Sequence, residues 1–109
     1  MKWYELKEQS QLEQLKTQSE EQPILIFKHS TRCSISRFAL KQFENEFYLQ
    51  DKIVPYYLDL LNHRDISNEI AFHFNVQHQS PQILVLKNRV VVYHASHEHI
   101  DATELKKYV

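Results

Sequence analysis

The 109-residue sequence contains no glycine and a single cysteine, Cys33. Without glycine, a turn that needs a positive φ must use Asn or Asp, the next most tolerant residues. Asn88 is therefore predicted to be the left-handed residue of a hairpin. One cysteine excludes an internal disulfide, so nothing in the chain calls for an oxidising compartment and we expect a cytoplasmic location.

The sequence also lacks long hydrophobic runs and an excess of charge of one sign. No segment approaches the length that spans a membrane, and the start of the chain has no apolar signal region. Thirteen basic residues, scattered among fourteen acidic ones, argue against a nucleic-acid partner. The length and the 42 % hydrophobic content predict one globular domain spanning residues 1–109.

The apolar patterns alternate along the chain between those typical of strands and those typical of helices. Helices are predicted to begin after capping residues Ser10, Asn62 and Asp101, and at residue 34. Strands are predicted at residues 3–6, 24–28, 54–60, 83–86 and 90–93. The order β-α-β-α-β-α-β-β-α requires a mixed central sheet flanked by helices, which is an α/β, thioredoxin-like fold.

The second predicted helix, residues 34–48, carries one apolar stripe. Side chains recur there at helical spacing, about 3.6 residues per turn. The residues at these positions are Ile35, Phe38, Ala39, Gln42, Phe43 and Phe47.

Cys33 lies in a polar turn between a buried strand and this helix. The first N–H groups of a helix lack internal partners and its dipole favours negative charge, so the position favours the nucleophilic thiolate. Arg32 and His29 would add positive potential. A free cysteine is more often a small buried hydrophobe, but the polar flanks favour a reactive thiol. Thr31, Arg32, Ser34 and Ser36 form the predicted active-site loop.

Ser36 occupies the second position of a C-x-x-C pattern. A serine cannot resolve a mixed disulfide, so a second thiol must come from outside the chain. Its hydroxyl is predicted to bond either the thiolate of Cys33 or the backbone of its own helix, and both alternatives remain open.

Ser80 and Pro81 precede the fourth predicted strand. Thioredoxin-like folds carry a cis-proline at this place, facing the active cysteine, and the assignment of the fold therefore implies a cis bond here. Such a bond would turn the backbone of Ser80 outward, where it could pair with an extended substrate.

Several of these stretches together resemble the bacilliredoxin C family, monothiol thioredoxin-fold proteins of the bacillithiol system. The likeness extends over essentially the whole chain, although Ser34 stands where the family often has proline. The matching stretches are residues 28–36, 78–82, 94–97, 2–3 and 59–61.

The resemblance implies a monothiol oxidoreductase with no bound cofactor and with bacillithiol as its co-substrate thiol. The Cys33 thiolate would attack a mixed disulfide between a client protein and bacillithiol, take up the bacillithiol and free the client thiol. Free bacillithiol or a partner reductase would then regenerate Cys33.

Seven histidines invite a metal hypothesis, and the densest group is residues 94–99. On an extended segment, His97 and His99 would face one side and His94 the other. Two convergent imidazoles make a weak site, so solvated or hydrogen-bonded histidines are favoured and no metal is predicted. His78 borders the predicted groove near Pro81, but an exposed loop histidine is an equally good interpretation.

Three alternatives remain. The pattern His29-x3-Cys33-x2-Ser36-Arg37 resembles glutaredoxin-linked arsenate reductases, although Thr31-Arg32 and Ser80 depart from that family's residues. A monothiol glutaredoxin with an iron–sulfur cluster would carry a glycine pair that this chain lacks. A thioredoxin scaffold can also serve as a non-catalytic binding module.

Overall fold

Five strands form one mixed sheet in the computed structural model, which describes all of residues 1–109. The spatial order is β1-β3-β2-β4-β5, with β3 parallel to both β1 and β2, and with β4 antiparallel to both β2 and β5. The strands are β1 (Tyr4–Glu5), β2 (Ile24–His29), β3 (Val54–Asp59), β4 (Gln82–Lys87) and β5 (Val90–Ser96). The predicted α/β thioredoxin-like sheet is confirmed.

The helices are α1 (Gln11–Gln18), α2 (Ser34–Glu46) and α3 (Arg64–Phe74). None of them is long and apolar enough to cross a membrane. The predicted last α-helix is wrong in type: residues Ala102–Tyr108 form a 3₁₀ helix, preceded by a short one at His97–His99. The first hydrogen bond of this 3₁₀ helix joins Glu104 N to the carbonyl of Asp101, three residues earlier, at 3.2 Å. Asp101 is nevertheless the cap, because its side chain accepts from Thr103 N at 2.9 Å.

The sheet separates two hydrophobic clusters. Alternate residues of a strand point to opposite faces, so Ile24 and Ile26 of β2 pack beneath α1 and α3. Leu25 and Phe27 pack on the other face with Phe43 of α2. All six residues of β2 are buried, as expected for a strand with a neighbour on each side and a helical layer on each face.

One predicted helix cap holds in position and the other is wrong. The helix α1 begins directly after Ser10, as predicted, although Ser10 has helical dihedrals and its side chain makes no capping hydrogen bond. In the segment before the helix, the side-chain Oε1 of Gln11 accepts from Lys7 N at 2.7 Å and Glu8 N at 3.0 Å. Asn62 is not the cap of α3, which follows His63. Its amide donates to Asp59 Oδ2 at 2.8 Å, so the side chain serves the β3–α3 turn.

The β4–β5 hairpin turns at Asn88, as predicted, with φ of 51°. Arg89 also has a positive φ, 72°, which the sequence did not indicate. The contacts of Arg89 compensate: its backbone N donates to Ser19 Oγ at 2.9 Å, and its guanidinium pairs with Glu13 and Glu20.

Candidate functional site

Cys33 is the N-cap residue of α2 and is exposed. Its backbone N donates to Ser30 O at 3.2 Å, which closes the turn after β2, and its carbonyl accepts from Arg37 N at 3.0 Å, which starts the helix. Thr31, Arg32 and Ser34 are exposed around it, Ser34 being the first residue of α2. The structure therefore places the thiol in solvent, at a helix terminus that favours a negative charge.

Ser36 lies in the first turn of α2 and is fully buried. Its Oγ accepts from Ser30 N at 3.0 Å and lies 2.9 Å from Nδ1 of His29. Both predicted roles of this hydroxyl are therefore wrong. Ser36 instead ties the turn that precedes Cys33 to the end of β2.

His29, the last residue of β2, is buried beside Tyr57, whose ring centroid lies 5.6 Å away. Burial lowers the pKa of His29 below its ordinary value, so the imidazole is neutral at pH 7. A neutral ring adds no positive potential to the site, which corrects the expectation from the sequence. With Ser30 N donating to Ser36 Oγ, the hydroxyl proton is free to donate to an unprotonated Nδ1 of His29.

The Ser80–Pro81 peptide bond is cis, as the fold assignment required. Because β2 and β4 pair antiparallel, with Lys28 opposite Gln82, the end of β2 and the start of β4 lie at one edge of the sheet. Pro81 O also accepts from His97 N at 3.0 Å. The Cys33 turn, the cis-proline segment and the turn at His97 thus occur at the same edge.

At this edge lie buried polar atoms that the sequence analysis missed. Lys28 and Gln82, which face each other on β2 and β4, are buried residues. Lys28 Nζ, Gln82 Oε1 and Ser80 Oγ are buried and have no hydrogen-bond partner. Burial lowers the pKa of Lys28 to about 8. His78 is an exposed loop residue, one of the two alternatives that the sequence left open, and its Nδ1 lies 3.2 Å from Ser67 Oγ. Partial burial of its ring and the charges of Lys28 and Arg64 lower the pKa of His78. The signal in the sequence was a lysine inside an otherwise apolar strand.

The apolar stripe of α2 divides in two. Phe43 and Phe47 are buried, whereas Ile35 is 66 % and Phe38 is 70 % exposed. One side of α2, from Ile35 to Glu46, borders a cavity of about 250 Å³ together with Ile100 of the segment that follows β5. Helical spacing predicts which residues share a face of α2. How much of that face is buried depends on which other elements pack against it.

The histidines of residues 94–99 do not lie on an extended segment throughout. His97–His99 form a 3₁₀ turn that His97 enters with φ of 55°, so the predicted pairing of His97 and His99 on one side of a strand is wrong. The side chains bring together no group of three or more His, Cys, Asp or Glu with the geometry of a metal site.

Comparison with known proteins agrees with this geometry. Residues 4–105 match the model of the family described as monothiol bacilliredoxin BrxC. A solved structure described as a proposed oxidoreductase with a thioredoxin fold is 34 % identical, with a TM-score of 0.80 over 95 % of this chain and 90 % of that one.

More distant structures share the fold alone. Thioredoxin from Malassezia sympodialis is 17 % identical, with a TM-score of 0.74 over 97 % of this chain and 86 % of that one. Thioredoxin from Schistosoma mansoni is 19 % identical, with a TM-score of 0.71 over the whole of both chains.

Proposed function

The chain belongs to the monothiol bacilliredoxin family, and on that premise we propose that Cys33 performs its thiol–disulfide exchange on proteins modified by bacillithiol. The protein is a monothiol thiol–disulfide oxidoreductase. The observation that carries the assignment to Cys33 is its position: the only cysteine of the chain is exposed at the N-terminus of α2, at the sheet edge where the cis Ser80–Pro81 bond lies.

The exchange has two steps. The Cys33 thiolate attacks the bacillithiol sulfur of the client's mixed disulfide; the new S–S bond joins Cys33 to bacillithiol, and the client cysteine leaves as a thiolate. A second bacillithiol thiolate then attacks the bound bacillithiol sulfur. This step releases oxidised bacillithiol disulfide and restores the Cys33 thiolate. In the net reaction one free bacillithiol thiolate is oxidised to the disulfide level, and the client cysteine is reduced to its thiolate.

Several neighbours support these steps. Cys33 lies at the N-terminus of α2, where the first N–H groups have no partner within the helix and the helix dipole attracts negative charge. The guanidinium of Arg32, in the exposed turn with Thr31 and Ser34, adds positive charge next to Cys33. The backbone of Ser80, held by the cis bond to Pro81, offers a hydrogen-bonding edge to an extended client segment.

Ser36 and the neutral His29 position this machinery without touching the sulfur. Their hydrogen bonds join residue 30, the end of β2 and the first turn of α2. Because Ser36 is buried and no second cysteine exists, an external thiol must regenerate the enzyme.

A transfer experiment tests the proposal. A client protein carrying a bacillithiol mixed disulfide is incubated with the wild type or with Cys33→Ser, and intact masses are followed over time. We expect the adduct to move to the wild type only, and added bacillithiol to clear it. Loss of the adduct at equal rates with both proteins would contradict the role of Cys33.

The matched control is the same client carrying glutathione. Faster transfer of bacillithiol than of glutathione supports bacillithiol as the preferred thiol. Equal rates would contradict that preference while leaving the exchange chemistry of Cys33 in place. Circular dichroism of Cys33→Ser shows whether its fold is retained, as expected for an exposed residue.

A further inference from the structure

Next to Cys33, α2 exposes two large apolar side chains. Ile35 is two residues beyond the cysteine and is 66 % exposed; Phe38, one turn further on, is 70 % exposed. They border the cavity of about 250 Å³ that α2 forms with Ile100. Exposed side chains of this size gain free energy when another surface covers them, and a contiguous pair beside a cavity is typical of an interaction site.

We propose that Ile35 and Phe38 form a docking surface for the client protein, which places an apolar side chain from beside its modified cysteine against them. The inference rests on the proposed function, since it concerns the same site. On this proposal, Ile35 and Phe38 recognise mixed disulfides of client proteins and play no part in the reaction with small-molecule disulfides.

The geometry of the exchange reaction indicates which molecule covers Ile35 and Phe38. The three sulfurs line up during attack, so the client sulfur lies about two S–S bond lengths, roughly 4 Å, from Sγ of Cys33. Phe38 lies about 8 Å further along the helix axis from Cys33, at a rise of about 1.5 Å per residue. An extended client segment covers about 3.3 Å per residue, so its second or third residue from the modified cysteine reaches the surface. Free cysteine, which takes the place of the client chain in a small mixed disulfide, does not extend that far.

The test compares a protein substrate with a small one. Second-order rate constants are measured for a client protein carrying bacillithiol and for the mixed disulfide of bacillithiol with free cysteine. The variant is the pair Ile35→Ser and Phe38→Ser, in which exposed side chains change and the hydrophobic clusters stay intact. The matched control is Phe72→Ser on α3, which removes an 81 % exposed aromatic from the opposite face of the sheet.

The double variant is expected to react with the protein substrate about tenfold more slowly, equivalent to roughly 1.4 kcal/mol. The rate of the double variant with the small disulfide should stay within about twofold of the wild type, because the changes leave the surroundings of Cys33 Sγ intact. The Phe72→Ser control should stay within about twofold of the wild type with both substrates. An equal loss with both substrates would overturn the inference, since the residues would then act on the reactivity of Cys33. No loss with the protein substrate would overturn it as well.

Analytical ultracentrifugation of the same proteins tests whether a second copy of this chain covers the surface instead. A dimer of the wild type that dissociates in the double variant would assign the surface to a second copy of this chain and would refute the inference. A wild type inert toward both disulfides would refute the proposed function itself, which is a different result from any of these.

Discussion

Replacement of Lys28 by methionine is expected to stabilise the protein. The lysine is fully buried in the central strand β2, and its Nζ has no partner. Burial lowers its pKa from 10.5 to about 8. Methionine fills a similar volume with an unbranched apolar chain, so the substitution removes the buried charge and leaves little cavity.

The size of the effect follows from the pKa. At about 1.4 kcal/mol per pKa unit, a charged Lys28 costs roughly 3 kcal/mol of unfolding free energy. The folded state releases this proton near pH 8, whereas the unfolded chain keeps it until about pH 10.5. The unfolded state therefore binds more protons between these values, and the stability of the wild type rises with pH there. The advantage of Lys28→Met is full below pH 8 and shrinks above it.

Urea denaturation at pH 7 and pH 9.5 measures this difference. We expect Lys28→Met to exceed the wild type by up to about 3 kcal/mol at pH 7 and by about 1 kcal/mol at pH 9.5. Lys52→Met, which changes an exposed lysine, should match the wild type at both values. A variant less stable than the wild type at pH 7, or an advantage that does not shrink with pH, would refute the reasoning.

The other predictions concern hydrogen bonds, the core and the hairpin. Ser36→Ala should lower the unfolding free energy by about 1–3 kcal/mol, because Ser30 N and His29 lose their shared partner; an unchanged thermal midpoint would show that the two bonds contribute nothing. Leu15→Ala, at a fully buried site, should cost about 2–5 kcal/mol in chemical denaturation, and a smaller loss would mean that the cavity collapses. Asn88→Val should cost about 1–2 kcal/mol because of its positive φ, whereas Asn88→Gly should not; equal effects would argue against the dihedral as the cause.

The strands and the position of Cys33 were predictable because their signals are local. The run of apolar residues in β2 can be satisfied only by burial on both faces, and a polar turn before an amphipathic helix leaves Cys33 at the helix start. The lack of a side-chain cap at Ser10 and the shift of the α3 cap from Asn62 to His63 were not predictable from spacing. The Asn62 amide donates to Asp59 in the folded chain, and only the folded geometry selects that partner.

The sequence by itself determined the order of the elements, the hairpin at Asn88 and the single thiol at the start of α2, since these depend on periodicity and on backbone preferences within a few residues. Tertiary structure alone decided the partners of Ser36, the burial of Lys28 and the exposure of Ile35 and Phe38. These features depend on which distant segments cover or face a side chain. Whether burying a strand lysine or a helix phenylalanine raises or lowers the stability depends on that environment, which helical or strand spacing does not encode.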